Sequence, residues 1–185
     1  LVLPKLNRSK WSIHIRLLGS DGPLSAPLKE AGLDVRSLNA STAINLPKLR
    51  ALATIGSQIA AVKHEIEKVQ PDWIHCYLPE PSIIGWLANR ITSGRRLLIM
   101  SKRSQSSRPQ AFPGEKWLEA RALKAADYVL GHSTAVTREL KERVIAPDRI
   151  KLIHNGIALG PFDRVPDRAE TRSLEGWPRQ AVIII

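Results

Sequence analysis

Apolar positions recur along this chain in two rhythms. "WSIHIRLL" (11–18) alternates apolar and polar residues and is bounded by "GSDG", which predicts a strand. "PLSAPLKEAG" (23–32) reads as a short helix stopped by Gly32, and "LDVRSLN" (33–39) as another strand. From Leu46 to Val69 the spacing changes to threes and fours, through Leu49, Leu52, Ile55, Ile59, Val62 and Ile66. That period predicts an amphipathic helix of about six turns, stopped by Pro71. The remaining elements come in turn. "PDWIHCY" (71–77) is a strand and "SIIGWLANRI" (82–91) a helix; "RRLLIMS" (95–101) is a strand, followed by a polar loop over 102–113. A helix (114–126), a strand (127–133), a helix capped by Ser133 or Thr134, and the strand "DRIKLIHNG" (148–156) complete the series. After them come a charged, proline-punctuated passage and "AVIII".

Strands alternating with helices, several of them near-continuous apolar runs, predict an α/β Rossmann-like parallel sheet with helices on both faces. Such sheets bind ligands beyond the carboxyl ends of their strands. That rule nominates residues 76–80, 101–107, 131–133 and 154–156. Lys102, Arg103 and Ser104 offer two cations and a hydroxyl there, suited to a ligand's phosphate or diphosphate or equally to a solvated loop start. Glu80, between two prolines, would accept from a ligand hydroxyl or cap the following helix. His75 is a packed strand residue or a ligand contact, and Tyr77 joins it among the substrate-binding candidates. Ser133 is a helix cap first and a ligand contact second. His132 stands at the mouth of the cleft, and Asn155-Gly156 would shape a turn into a linker.

Composition narrows the classes. At 185 residues, 43% hydrophobic and 24% charged, the chain suits one globular domain or one and a part. No apolar run approaches the roughly 20 residues of a membrane span. A single cysteine, Cys76, excludes an internal disulfide, and the five histidines show no paired metal-ligand spacing, so no metal is expected. Neither common nucleotide-phosphate loop occurs, nor the G-x-S-x-G elbow of hydrolases. The formal charge of +11 favours anionic partners: nucleic acid, anionic lipid or phosphorylated substrates. The tryptophans do not interleave with a basic stripe, which argues against a nucleic-acid platform.

Three stretches together resemble the amino-terminal domain of family 4 glycosyltransferases, retaining enzymes with two facing Rossmann-like domains. They are "PDWIHCYLPEPSIIGWLANR", "LIMSKRSQSS" and the ordered run "ADYVLGHSTAVTRELKER…APDRIKLIHNGI". With "GSDGPLSAPLKEAGLDV" the resemblance covers about residues 10–163. It implies a transferase that moves a sugar from a nucleotide-sugar donor to a hydroxyl of a saccharide or lipid-linked acceptor. The nucleotide sugar is then a co-substrate, with no cofactor. The resemblance further implies residues 1–163 as the acceptor-side domain lacking its first strand, 164–180 as a linker, and 181–185 as the first strand of a donor-binding domain. A chain so cut would be inactive alone. The parent enzyme would be cytoplasmic, serving cell-envelope polysaccharide synthesis, with possible peripheral contact to an anionic membrane and no nucleic-acid partner. Tyr77 stands where the family often has a second histidine, so no catalytic role carries over to His75. Two other classes fit the same features: a basic binding module for nucleic acid or anionic lipid, and a nucleotide-sugar epimerase of the same architecture.

Overall fold

The computed structural model describes residues 2–39, 47–103, 114–142, 145–156, 160, 167–178 and 180; over 47–52 it describes the backbone alone. Residues 1–154 form one compact unit and 155–185 another.

Among the described residues of the first unit every strand pair is parallel. Strand β1 (His14–Leu17) pairs with β2 (Asp34–Ser37), and helix α1 (Ser25–Glu30) links them. A second sheet holds β3 (Trp73–Tyr77), β4 (Leu97–Lys102), β5 (Tyr128–Gly131) and β6 (Ile150–Leu152) in that spatial order. Helix α2 (Pro47–Val69) crosses from β2 to β3. Helices α3 (Pro79–Ile91), α4 (Glu115–Ala125) and α5 (Thr134–Glu142) make the remaining crossovers. This is the α/β Rossmann-like architecture that the alternation of patterns predicts.

The β2–β1 pair and the β3–β4–β5 series match the two flanks of the doubly wound order 3-2-1-4-5-6, with β6 added at the far edge. Among the described residues no strand lies between β1 and β3. The indole of Trp11, just before β1, meets that of Trp73 at the start of β3 edge-on, with ring centroids 6.1 Å apart. Arg16 of β1 also donates to Glu65 of α2 at 2.5 Å and to Asp34 of β2 at 2.9 Å. Asp34 gathers further hydrogen bonds from His14 and Arg36. Burial works against its charge, but these donors hold its carboxyl well below the usual range.

The main core lies on one face of the four-stranded sheet. Cys76, Leu98, Met100, Val129 and Ile150 meet Ala122 and Leu123 of α4 and Val136 and Leu140 of α5. Two glycines permit this closeness. A Cβ on Gly85 of α3 would lie 2.5 Å from the Cys76 sulfur, and one on Gly131 would lie 2.6 Å from the Thr137 hydroxyl.

Some boundaries differ from the pattern. Helix α3 starts at Pro79, three residues early, because proline fits the first turn, where its missing N–H costs nothing. Strand β6 is only three residues long, preceded by a tight turn over Pro147–Arg149. In the second unit the charged passage contains a helix, α6 (Arg168–Leu174). The Asp167 carboxylate caps it, accepting from the N–H groups of Ala169 and Glu170. The strand expected at 181–185 lies outside the described residues.

Candidate functional site

Strand parity builds the site. The register pairs Tyr77 with Ser101 and Ser101 with Leu130, so Tyr77, His75 and Ser101 share one sheet face. Arg103 and His132 follow on the same parity, just past the strand ends. Cys76, Met100, Lys102 and Gly131 belong to the opposite, helix-covered face.

On the shared face three side chains interlock. His75 Nε2 lies 2.7 Å from the Ser101 hydroxyl, and the Tyr77 hydroxyl lies 3.3 Å from His75 Nδ1. The phenol and imidazole stack with centroids 4.2 Å apart, and Trp73 continues the stack behind His75. Ser101 is buried, at 5% exposure, whereas Tyr77 is 47% exposed. A buried hydroxyl thus anchors an imidazole that steadies an open phenol.

The electrostatics follow from this burial. Desolvation, with a smaller push from His132, lowers the His75 pKa to about 4, so the ring is neutral near pH 7. Burial raises the Tyr77 pKa, against opposing contributions from Arg103 and a Ser101 hydrogen bond. Burial alone pushes the Cys76 thiol up to about 12, so no thiolate is available there. His132 places Nδ1 3.0 Å from the Ile153 carbonyl, which makes Nδ1–H the donor. Nε2 is buried and has no hydrogen-bond partner among the described residues.

The structure separates the basic pair nominated from sequence. Lys102 is 7% exposed and donates to Glu119 of α4 at 2.9 Å, on the helix side of the sheet. Arg103 is exposed and sits close enough to bear on the Tyr77 charge. Ser104 lies outside the described residues. Glu80 is exposed in the first turn of α3, which has no side-chain capping bond; its charge favours the helix start through the dipole. Ser133 caps α5, its hydroxyl accepting from the Val136 N–H at 3.3 Å. The unit boundary falls between His154 and Asn155. Neither Asn155 nor Gly156 takes the positive φ that the expected turn would use. Leu78 does, at φ 74° and ψ 158°, directly between Tyr77 and α3. A branched side chain there costs on the order of 1–3 kcal/mol.

Ser101 opens the stretch 101–107 that the strand-end rule nominates, but sequence reasoning did not single it out within that stretch. Its signal was position alone, as the last residue of the predicted strand. Among the described residues no group of three acidic, histidine or cysteine side chains could hold a metal ion. No described helix is long and apolar enough to cross a membrane.

Comparison with known proteins places this geometry. A search of curated proteins found no match. Solved structures match the fold. HepE of Anabaena, solved with UDP, superposes with a TM-score of 0.61 at 20% identity, over 87% of this chain and 41% of its own. Sucrose-phosphate synthase from Thermosynechococcus elongatus gives 0.64 at 19% identity, over 92% and 44%. UDP-N-acetylglucosamine 2-epimerase from Rickettsia bellii gives 0.50 at 14% identity, over 77% and 44%. The chain thus spans less than half the length of these structures. The family model Glycosyltransferase Family 4 matches residues 5–160, most of the chain, and the chain belongs to that family.

Proposed function

We propose that this chain is the acceptor-side half of a glycosyltransferase that moves a sugar from a nucleotide-sugar donor to an acceptor hydroxyl, with retention of anomeric configuration. The observation that carries the reading is the family match over residues 5–160, joined to a polar cluster at the carboxyl end of a parallel sheet. HepE, whose structure was solved with UDP-glucose as well as UDP, supports a nucleotide-sugar donor. In this reading the donor is a co-substrate held mainly by a second domain, and the present chain alone is inert. The position between β1 and β3 takes the first strand of the sheet, and 181–185 opens the second domain. Catalysis then rests on orienting the acceptor hydroxyl at the anomeric carbon and on cationic groups facing the departing diphosphate, with Arg103 the described candidate on this side.

The acceptor in this reading is a saccharide or a lipid-linked sugar of the cell envelope. The +11 charge supports a cytoplasmic enzyme that visits anionic bilayers, since each surface cation contributes about 1 kcal/mol near such a membrane. Sedimentation with vesicles at low salt checks this, and equal recovery with neutral and anionic lipid would favour a soluble acceptor.

The epimerase neighbour keeps a second reading in view. Product analysis separates the two. Transfer releases nucleoside diphosphate only when an acceptor is present and leaves the sugar joined to that acceptor. Epimerisation of a nucleotide sugar with no acceptor added would overturn the transferase reading.

A further inference from the structure

Helix α4 sorts its charges by face. Lys116, Trp117, Ala120, Arg121 and Lys124 recur at alternating spacings of one and three, so they share one arc of the helix. That arc looks outward: its cations are exposed, and Trp117 is 59% exposed. Both carboxylates of the helix turn the other way. Glu115 is 2% exposed and Glu119 7%, the latter holding Lys102 at 2.9 Å. The outer arc therefore carries three cations, one indole and no acid, over a length of about 12 Å.

The indole is braced where it stands. The Arg121 guanidinium carbon lies 4.8 Å from the Trp117 ring centroid, over the ring. A large ring in water, held by a cation one turn on, suits a boundary between oil and water. Indoles favour the headgroup layer of a bilayer, where the ring meets apolar chains and the N–H stays wet. Lysine and arginine stems lie along the same apolar layer and carry their charges out to phosphates. Anionic headgroups supply the negative charge that the arc itself lacks.

Other partners fit this surface less well. A single-stranded nucleic acid stacks successive bases on aromatic faces along a groove. This arc is convex and shows one indole, with one face of the ring taken by Arg121. A stable protein partner covers about 800 Å² on each side, more than the outer arc of one such helix offers.

We propose that the outer arc of α4 docks on an anionic bilayer, with Trp117 in the headgroup layer and Lys116, Arg121 and Lys124 on its phosphates. This deepens the reading that the enzyme visits anionic membranes, and it rests on that reading. It replaces a diffuse attraction by net charge with one face and one orientation.

The test is sedimentation of this 185-residue chain at low salt, with vesicles of phosphatidylcholine alone or mixed with phosphatidylglycerol. The wild type should bind the mixed vesicles and not the neutral ones. Lys116→Gln/Arg121→Gln/Lys124→Gln should weaken that binding about a hundredfold, at about fivefold per cation. Lys29→Gln/Arg36→Gln/Lys68→Gln removes the same charge from exposed positions on α1, β2 and α2, and should cost far less. Quenching of tryptophan emission by bromine-labelled lipid reads the docked face, and Trp117→Phe should remove most of it. Thermal melts check folding, and should the α4 triple variant not fold, the quenching in Trp117→Phe decides. Equal losses in the two triple variants, or quenching that Trp117→Phe leaves unchanged, would overturn the α4 surface and leave the membrane reading standing. Wild-type binding to neither vesicle would overturn both. A single-stranded DNA oligonucleotide held more tightly than the mixed vesicles through the same cations would also overturn the proposal.

Discussion

Removing the carboxylate of Glu119 should cost far more stability than its place on a surface helix suggests. Its partner, the Lys102 ammonium, is 2.9 Å away, and the two side chains are only 9% and 7% exposed. Breaking a pair this dry strands a charge without water, which costs about 3–5 kcal/mol. In a chain of this size each kcal/mol moves the melting temperature by about 2–4 °C. Glu119→Leu should therefore lower it by roughly 10 °C, and Lys102→Met by a similar amount through the stranded carboxylate. The double variant Lys102→Met/Glu119→Leu removes both charges and fills the space with apolar atoms. It should recover most of the loss, since such replacements are often neutral or stabilising by about 1–4 kcal/mol. Urea unfolding of the four proteins measures the coupling. Additive losses in the double variant would refute the buried-pair argument. The same variant tests what Lys102 does. If it folds like the wild type yet the complete enzyme loses activity, Lys102 serves substrate rather than the fold.

Three further outcomes follow from the site. Arg103→Ala in the complete enzyme should lower kcat/KM by an amount worth about 2–4 kcal/mol while shifting stability by no more than about 0.5 kcal/mol, with Arg103→Lys recovering part; full activity in the Ala variant would make Arg103 a solvated loop cation. The folded His75 pKa of about 4 lies below the ordinary value of 6.5, so its stabilising contribution is complete above pH 6.5 and is lost as pH falls towards 4. Discounted for the ring's partial exposure, the loss is about 2 kcal/mol, and His75→Gln should flatten that part of a urea-midpoint profile between about pH 7 and pH 4; an unchanged profile would show that His75 does not report burial. Leu78→Gly should stabilise by about 1 kcal/mol, because glycine alone accepts φ 74° with ψ 158° freely and the leucine side chain is 61% exposed; a lower urea midpoint would mean the strain is not relieved there.

Periodicity made the order of strands and helices legible, because alternating crossovers write both rhythms plainly into the chain. It left the facing of β4 open. "LLIMS" is apolar at almost every position, as a strand buried on both sides must be, so its sequence does not say which residues point which way. Only the register with Tyr77 and Leu130 puts Ser101 on the sheet face of His75 and Tyr77 and Lys102 on the face of α4. That is why two adjacent cations read as one phosphate clamp, and why the serine beside them, though inside the nominated stretch, was not singled out. Helix α6 was within reach of the sequence. Asp167 followed three residues later by Glu170 is a helix-start signal, obscured by the charge and proline around it. Positive φ at Leu78 had no signal at all, since neither glycine nor asparagine marks it.

The central claim, that this chain carries the acceptor side of a two-domain transferase, is tested most directly by comparing this 185-residue chain with the complete protein in one transfer assay. Both are incubated with nucleotide-sugar donors and saccharide acceptors, and glycosylated product is followed by mass spectrometry. The account predicts acceptor-dependent product from the complete protein and none from the chain alone. Sugar transfer by the isolated chain, or no transfer by the complete protein with any donor that it binds, would contradict it.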